Sequence, residues 1–498
     1  MTISHFWTSS RRVLGLLAVW LLATLGVRPL LLPDEGRYGN VAREMLQGNG
    51  FGYGLVPTLN GLPFFHKPPL MYWLDMAAMQ VLGVNAFAAR FGAFVGAWLM
   101  GAALFLALRR WVGLRPATIT LGVLATCPFF FVGSQYANLD MLVAGVLTVT
   151  VLCFVRAVES PRQVDLRWLL AAWLACALAV LAKGLIGIVL PMLILGPWLL
   201  AQGRWRQILR MLHPLGLLVF VAVAGPWFVL MQREFAEFND YFFIEQHFRR
   251  FAQAGFNNVH PFWFYIAVLP ALTLPWPLWL RRPVTAVPEA DASTLPGLTS
   301  LLVWWGIAVV GFFSLPSSKL VGYILPALAP WCALLGLVVA RGRAWRWVLP
   351  ASAVVCLAIV AGLAWKAPGS HRDVAERLAT LNQPGDRVVF IDSAFYDVPF
   401  YAQLKTPAIV LSSWDDPSIP QHDNWRKEFA DAARFDPSAA AKILWTLDRA
   451  KDLRCGPGNT WLVADKGYQP PAAMGSVNPV FTGANAQLLQ VARGTDCP

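Results

Sequence analysis

The stretch PDEGRYGNVAREMLQ, residues 33–47, follows a long apolar run and begins with two adjacent acids, Asp34 and Glu35. The preceding run, residues 13–32, is about 20 residues long, which is enough for a helix to cross the hydrocarbon of a bilayer. It is too long for the core of a signal peptide and lacks a small-residue cleavage site, so we expect a retained first span. Carboxylates beside a membrane span are energetically costly and are often functional.

The composition defines the class of protein. The chain has 498 residues, of which 57% are hydrophobic and 14% are charged. This is too apolar for a soluble domain and predicts a polytopic α-helical membrane protein. The net charge of +12 would suggest nucleic-acid binding in a soluble chain, but here the arginines cluster in short gaps between apolar runs, as in proteins whose membrane orientation they determine. We therefore expect no nucleic-acid partner.

The apolar runs predict about eleven transmembrane helices, and up to about thirteen, at roughly 20 residues per span. The predicted segments are 13–32, 90–108, 117–134, 139–157, 168–183, 184–202, 213–231, 263–280, 298–315, 320–340 and 346–365.

Arginine placement predicts the orientation. Every second gap is rich in arginine, and these residues are Arg11, Arg12, Arg109, Arg110, Arg115, Arg156, Arg162, Arg167, Arg204, Arg206, Arg210, Arg281, Arg282, Arg341, Arg343 and Arg346. By the positive-inside rule the N-terminus is then cytoplasmic and the C-terminal tail lies on the outer side of the membrane. Lysine is rare before residue 366, and Lys67, Lys183 and Lys319 all fall in or beside gaps on the opposite, outer face. Orientation does not require these charges, so they are candidates for function.

Long gaps on the outer face predict soluble elaboration there, in loops 33–89 and 232–262. One amphipathic interfacial helix is expected after Pro33, ended by Gly48 and Gly50, and a second at about 69–83. The apolar stripe of the first consists of Tyr38, Val41, Ala42, Met45 and Leu46.

The composition changes after Trp365, where charged residues, Gly and Pro become more frequent. The stretches DRVVFID and NTWLVAD read as short buried strands. We therefore predict a transmembrane domain over 1–365 and a small outer α/β domain over 366–498. The polar stretch 414–440 receives no assignment.

The acids at 34 and 35 have two interpretations. They could cap a helix N-terminus and match its dipole, or they could act in a site together with Arg37. Similarly, Lys67 precedes Pro68-Pro69 among aromatic residues that include Tyr72. It could be a snorkelling lysine in an aromatic belt, or an ammonium suited to a lipid phosphate.

Further charges recur at the outer ends of later spans. Asp140 begins one span and could be a cap, while Lys183 and Lys319 lie near helix junctions, where buried lysines need anions. Tyr323 follows Lys319 by one turn, and the second long loop carries three more candidates, His247, Arg249 and Arg250. The two histidines of this loop are too isolated to predict a metal site, so we expect no certain cofactor and leave a divalent metal open. Cys455 and Cys497 could form a disulfide in an oxidising compartment.

The order of the motifs is more specific than any one motif. PDEGRYGNVAREML, LPFFHKPPLMYWL, NLDMLV, AKGLIGIVLP, GPWF, FFIEQHFRRF and SSKLVGYILP together resemble the bacterial lipid A aminoarabinose transferases and, more distantly, the protein O-mannosyltransferases. Both are C-type membrane glycosyltransferases, and the resemblance covers about residues 10–330. It implies a protein of the bacterial inner membrane whose outer domain is periplasmic. It also implies a periplasm-facing cavity for an undecaprenyl phosphate-linked sugar and transfer to an envelope acceptor, with a lipid A phosphate favoured.

The resemblance also implies roles for particular residues. Lys67 would bind the donor phosphate, Asp34 would be the indispensable acid, and the outer cations would neutralise the remaining phosphates. The full candidate set is Asp34, Glu35 and Asp140 for catalysis, and Lys67, Arg37, Tyr72, Lys183, His247, Arg249, Arg250, Lys319 and Tyr323 for substrate binding. His66 occupies a position where close relatives carry an acid, which leaves the sugar and the acceptor open. The expected partners are the lipid-linked donor, lipid A or another envelope glycan, and membrane lipids.

Three alternatives remain at this stage. A protein O-mannosyltransferase-like enzyme would use a hydroxyl acceptor, for which Asp34 would act as a base. A lipid or sugar transporter would also use intramembrane charges, but paired broken helices would be expected in its two halves. A structural or assembly protein would account for the tail but not for the three lone lysines.

Overall fold

The computed structural model of the chain describes residues 9–48, 52–160, 163–249, 258–281, 295–456 and 458–494. The helices up to residue 366 are α1 (Ser10–Leu22), α2 (Asp34–Gln47), α3 (Leu70–Leu82), α4 (Phe91–Val112), α5 (Leu114–Ala125), α6 (Pro128–Ser134), α7 (Leu139–Ala157), α8 (Leu166–Lys183), α9 (Ile186–Ala201), α10 (Trp205–Met211), α11 (Pro214–Glu234), α12 (Phe264–Leu272), α13 (Leu298–Ser314), α14 (Leu328–Val339) and α15 (Trp345–Lys366). Tighter or wider helical turns occupy Ala88–Arg90, Asp240–Arg249, Trp276–Arg281 and Val321–Ala327, and a small hairpin is formed by β1 (Thr58–Leu59) and β2 (Leu62–Pro63). The segment Asp240–Arg249 is π-helical.

The predicted multi-pass membrane architecture is confirmed, but the number of spans differs from the prediction. By length and composition, the described part of the chain contains 6 helices able to cross a membrane, or 7 if the pair α5 and α6, bent by 66°, forms one span. Three further apolar helices, α3, α9 and α13, are shorter than a full span. The expected segment 263–280 is divided between α12 and a tight turn, with prolines 270, 275 and 277 in it, and proline interrupts helical hydrogen bonding.

Helices α4 and α7 approach each other most closely at two glycines. A Cβ atom added to Gly145 would lie 1.9 Å from the carbonyl oxygen of Gly96, and one added to Gly96 would lie 2.4 Å from the Cα of Leu142. Small residues at such crossings allow helix backbones to touch inside membranes. The two helices therefore form one tightly packed unit.

Helix α2 is present as expected and ends at Gly48, whose φ of 73° is left-handed. Gly50, the second expected stop, lies outside the described residues. The polar face of α2 is covered by protein instead of water, because residues beyond 390 pack against it. A Cβ atom added to Gly36 would lie 3.0 Å from the backbone nitrogen of Asp397. The second expected outer helix corresponds to α3.

The C-terminal residues form a mixed sheet, and both predicted strands are confirmed. Its strands are β3 (Arg387–Ile391), β4 (Ile409–Leu411), β5 (Leu444–Trp445), β6 (Thr460–Asp465), β7 (Val477–Thr482) and β8 (Ala486–Val491). The order is β5-β4-β3-β6-β8-β7, in which β5, β4, β3 and β6 are parallel and the last two pairings are antiparallel. The helices of this region are α16 (Arg372–Leu381), α17 (Val398–Tyr401), α18 (Trp425–Ala433) and α19 (Pro437–Ile443), with tight turns at Ile419–Gln421, Leu447–Arg454 and Ala472–Met474.

Specific hydrogen bonds attach this C-terminal region to the outer loops. The Asn60 side chain donates to the carbonyl oxygen of Ala408 and accepts from its backbone N–H, both at 2.8 Å. The backbone N–H of Leu30 donates to the Tyr401 hydroxyl at 2.7 Å. The division at residue 365 stays a prediction, and these contacts give the sheet region a fixed place above α2.

Candidate functional site

The first turn of α2 presents its two acids to different surroundings. Glu35 is fully buried between two arginines: Arg90 donates from Nε at 2.8 Å, and Arg28 donates from Nη2 at 3.1 Å. Backbone N–H groups of Leu31 and Ala137 donate to the same carboxylate at 2.8 Å each. Every lone-pair direction of Glu35 is therefore directed at a protein donor. Both carboxylate oxygens of Glu35 are thus engaged by protein donors in this conformation, and the catalytic role of Glu35 stays a prediction.

The electrostatics of Glu35 agree with that geometry. Burial alone would favour the neutral acid, but the charges of Arg90 and Arg28 outweigh it and lower the pKa of Glu35 to about 2. Both arginines also donate to backbone carbonyl oxygens near residues 25–29. The cluster thus joins the loop after α1, the start of α2 and the start of α4.

Asp34 is more accessible, with about 25% of its side chain exposed. Its Oδ2 accepts from the Asn138 side chain at 2.9 Å, and its Oδ1 pairs with Arg37 one turn later in α2. Asn138 also caps α7, since its side-chain oxygen accepts from the backbone N–H of Asp140 at 3.0 Å. A single asparagine therefore links the two predicted acids Asp34 and Asp140.

Asp140 continues the network toward the other outer motifs. It forms an ion pair with Lys183 at the end of α8, and the Lys183 Nζ lies 4.3 Å from the centre of the Tyr323 ring. Gly322 has to lack a side chain, because a Cβ there would lie 2.3 Å from the Asp140 Oδ2. The motifs NLDMLV, AKGLIGIVLP and SSKLVGYILP thus converge at Asp140. The Lys183–Asp140 pair is only partly buried, with side-chain exposures of 15% and 9%.

Arg37 connects this network to the C-terminal region. It forms an ion pair with Glu428 of α18, and the Tyr396 hydroxyl donates to the same glutamate. The guanidinium also lies 5.0 Å from the centre of the Tyr38 ring. Burial raises the pKa of Glu428, while the charge of Arg37 acts in the opposite direction.

Neither Glu428 nor Tyr396 was predicted from the sequence. Glu428 lies in the stretch 414–440, to which no secondary structure was assigned. The available signal was the cap residue Asn424, whose side chain accepts from the N–H groups of Arg426 and Lys427 at the start of α18. Glu428 lies in the first turn of this helix, next to buried Phe429. That position predicts a partly buried carboxylate.

The lysine motif lies beside α2, and its residue Tyr72 contacts that helix. Lys67 is half-buried in the turn between β2 and α3. Tyr72 on α3 is fully buried, with its ring centre 6.1 Å from that of Tyr38. Within the described residues, the Tyr72 hydroxyl is buried and has no hydrogen-bond partner.

Glu44 of α2 holds the hairpin that leads to Lys67. Its carboxylate accepts from the Thr58 hydroxyl at 2.9 Å, from the N–H of Asn60 at 2.8 Å and from the N–H of Gly61 at 3.0 Å. Burial raises the pKa of Glu44, although these donors and Arg43 favour its charged form. Helix α2 therefore carries the candidate acid Asp34 and also holds the hairpin that leads to Lys67.

Lys319 has different surroundings from those expected. Its side chain is 3% exposed, and its Nζ donates to backbone carbonyl oxygens of His260, at 2.9 Å, and of Pro316. The strand-like pairing of Val259 with Ser318 lies directly beside it. Lys319 thus fastens two outer loops together, and this conformation does not direct it at a phosphate.

The remaining predicted cations lie at the limit of the described chain. His247 and Arg249 fall in the π-helical segment, but their side chains, and all of Arg250, lie outside the described residues. Arg434, the residue that follows α18, pairs with Glu245 of this segment at 3.2 Å and with Glu237, just before the segment, at 3.0 Å. The three predicted substrate contacts therefore stay predictions.

No cluster of metal ligands is apparent in the part of the chain that the structure describes, where no group of three or more His, Cys, Asp or Glu side chains could hold an ion. Cys455 is disulfide-bonded, and Cys497 lies outside the described residues.

Comparison with known proteins is consistent with this geometry. Residues 66–229 match the family model described as dolichyl-phosphate-mannose-protein mannosyltransferase. The undecaprenyl phosphate-alpha-4-amino-4-deoxy-L-arabinose arabinosyl transferase of Erwinia tasmaniensis is 33% identical over 325 residues, covering 64% of this chain and 57% of the relative. A second such transferase from Sodalis glossinidius is 35% identical over 331 residues, covering 64% of this chain and 58% of the relative. The matched regions thus span less than two thirds of these relatives.

The fold has a near-complete counterpart among solved structures. The crystal structure of ArnT from Cupriavidus metallidurans bound to undecaprenyl phosphate superposes with a TM-score of 0.81 at 23% identity, covering 97% of this chain and 98% of that one. The apo form gives 0.79 at 22% identity, with the same coverage. The chain therefore has the fold of the C-type membrane glycosyltransferases. The resemblance to the aminoarabinose transferases predicted from the motifs is confirmed by the relatives described above.

Proposed function

We propose that the chain is a membrane glycosyltransferase that moves a sugar from an undecaprenyl phosphate-linked donor to a periplasmic envelope acceptor. The best-supported form is transfer of 4-amino-4-deoxy-L-arabinose to a lipid A phosphate. One observation carries the proposal: Asp34, Asn138, Asp140, Lys183 and Tyr323, from four separate segments, form one continuous, partly exposed polar network.

The chemistry needs positioning and charge control more than proton removal. A phosphate acceptor is already anionic near neutral pH, so the site has to bring it to the sugar carbon while the donor's phosphate departs with the bonding electron pair. Cations near the leaving group stabilise the charge that develops there. Lys67 is the proposed ligand of the donor phosphate, and Asp34 is the proposed acid that orients the reacting groups. Arg37 and Lys183 form ion pairs with the carboxylates of Asp34 and Asp140 and hold them in place.

In the proposed topology, the N-terminus lies in the cytoplasm and the sheet region lies in the periplasm. The arginine-rich gaps and the outer lysines support this orientation. A cysteine-accessibility measurement on intact cells tests it, with single cysteines at exposed residues 405 and 206. Labelling of position 405 alone by a membrane-impermeant maleimide is expected, and the reverse pattern would contradict the orientation.

The test of the activity combines a purified enzyme with mass spectrometry. The full chain in proteoliposomes should convert undecaprenyl phosphate-linked aminoarabinose and lipid A into a product heavier by one aminoarabinose residue, and Asp34→Asn should not. The match of residues 66–229 to a protein mannosyltransferase model favours one alternative, in which a hydroxyl is the acceptor. Comparing lipid A and envelope glycoproteins from cells with and without the gene separates the two. An unchanged envelope together with no transfer in vitro would contradict both.

A further inference from the structure

A second candidate site lies at the opposite end of the transmembrane helices. Helix α4 has 22 residues and is therefore about 33 Å long. Arg90, which binds Glu35, directly precedes this helix, whereas Arg115 lies in the first turn of the next helix, α5, beyond its far end. Any ligand held at Arg115 thus lies on the membrane face opposite to the site at Asp34.

A groove of about 670 Å³ opens beside Arg115 between helices α1, α5 and α15. Its walls are almost entirely apolar and include Leu17, Trp20 and Leu349. Its floor is the crossing of α5 with α15, where a Cβ added to Gly122 would lie 3.0 Å from Leu349 Cδ2. The volume is in the range of pockets that hold a discrete ligand.

Two polar groups at the groove indicate what the ligand carries. Arg115 is exposed and, among the described residues, is the charged side chain that lines the groove. Trp345 also lines it, and within the described residues its indole N–H is buried without a hydrogen-bond acceptor. Buried indole N–H groups usually have a partner. An oxygen-rich anionic head group with an apolar chain would satisfy both residues.

The surroundings of the groove are positively charged. Arg109 donates to the hydroxyl of Ser10, so the start of α1, with Arg11 and Arg12, lies beside the end of α4. Arg346 lies 5.6 Å from the centre of the Trp345 ring. Basic residues around pockets between transmembrane helices bind anionic lipid head groups.

We propose that this groove binds one anionic phospholipid. One acyl chain lies between α1, α5 and α15, the phosphate pairs with Arg115, and the Trp345 indole donates to a phosphate or ester oxygen. The donor lipid of the proposed function is a poorer fit, because its phosphate is expected at Lys67 on the other face. The proposal does not depend on the transfer reaction.

Native mass spectrometry of the full chain, released from nanodiscs of equal phosphatidylglycerol and phosphatidylethanolamine, tests the site. The unmodified protein should retain phosphatidylglycerol preferentially. Arg115→Gln should reduce that preference about fivefold, the equivalent of one arginine near an anionic lipid surface. Thr118→Phe, which fills the groove, should reduce total lipid retention by a similar factor.

Two matched variants serve as controls. Arg206→Gln removes an exposed arginine from another arginine-rich gap, and Val221→Phe enlarges a side chain that is 61% exposed on α11. Equal effects of the test and control variants, or equal retention of the two phospholipids, would mean ordinary boundary lipid and overturn the proposal. Displacement of phosphatidylglycerol by added undecaprenyl phosphate, with Thr118→Phe abolishing that displacement, would assign the groove to the donor's chain and also overturn it. If Thr118→Phe does not fold, the comparison of Arg115→Gln with Arg206→Gln decides.

Discussion

Asp34 and Glu35 are neighbours in one helical turn, yet their carboxylates belong to two clusters with different properties. The closed cluster, Arg28, Glu35 and Arg90, is almost completely removed from solvent, and donors surround its acid. The open cluster consists of Asp34 and its partners Arg37 and Asn138, and about a quarter of the Asp34 side chain is exposed. Successive residues of a helix point about 100° apart, so one turn can direct one acid inward and the next toward a site.

The difference shows how a charge can be structural or functional without a change of residue type. A buried ion pair that is fully hydrogen-bonded holds backbone segments in register, and removing one partner leaves an uncompensated charge. A partly exposed acid with two side-chain partners keeps capacity for a ligand. We therefore propose that the structural interpretation applies to Glu35 and the functional interpretation to Asp34.

The largest expected effect comes from Glu35→Gln. Breaking this buried cluster should lower the free energy of unfolding by about 3–5 kcal/mol, measured by thermal or denaturant unfolding in detergent. Glu376→Gln, at an exposed salt bridge, serves as the control. A stable Glu35→Gln protein without transferase activity would place Glu35 in the open cluster and remove the distinction.

Asp34→Asn should leave the fold intact but reduce transfer about a hundredfold to a thousandfold, the usual range for loss of a preorganised charge at a reacting centre. The substitution is nearly isosteric, so the free energy of unfolding should change little. Turnover is measured with the lipid-linked donor, and Asp448→Asn at an exposed position is the control. Full activity would reduce Asp34 to a helix cap.

Lys67→Ala tests whether the lysine motif acts with the open cluster. Loss of a phosphate-binding ammonium should reduce transfer about a hundredfold and raise the concentration of donor needed for half-maximal rate. Exposed Lys405 on the outer region provides the matched Lys405→Ala control. Equal rates for the two variants would assign Lys67 to an aromatic belt.

Glu428→Gln should have a smaller effect, about tenfold on transfer, since it weakens one charged hydrogen bond to Arg37. Tyr396→Phe removes the other partner of the same glutamate and should act in the same direction but more weakly. Additivity of the two substitutions in a double mutant would contradict their action through a shared network.

The smallest expected effect is that of mild acid on the closed cluster. The pKa of Glu35 is lowered from 4.5 to about 2 in the folded protein, so its contribution to stability is complete above about pH 4.5 and is lost only toward pH 2. Between pH 7 and pH 5, the stability difference between the unmodified chain and Glu35→Gln should stay constant. A difference that shrinks in this range would show that the arginines do not hold the acid ionised.

The sequence was informative where a pattern is local. Apolar length predicted most helices, and the β-branched runs DRVVFID and NTWLVAD predicted two strands. The outer motifs also marked Asp34, Asp140, Lys183 and Tyr323 as candidates, and the structure shows that these residues lie in one network. Helix length was less predictable, because proline and bends divide apolar runs that are continuous in composition.

What the sequence could not indicate were contacts between distant segments. Arg90 lies in an apolar context that gave no reason to pair it with Glu35, 55 residues earlier. Glu428 reaches Arg37 across 391 residues, and Lys319 turns to nearby carbonyl oxygens that no pattern marks as acceptors. Such contacts depend on how distant helices and loops pack against each other, and the spacing of residues along the sequence does not reveal that packing.

The glycine crossing of α4 and α7 has a mechanical consequence. Arg90 directly precedes α4 and Asp140 lies in the first turn of α7, so a direct contact between two backbones with no intervening side chain sets the spacing of the two clusters. An alanine at Gly145 would push α4 and α7 apart and so displace both clusters at once, although Gly145 contacts neither cluster.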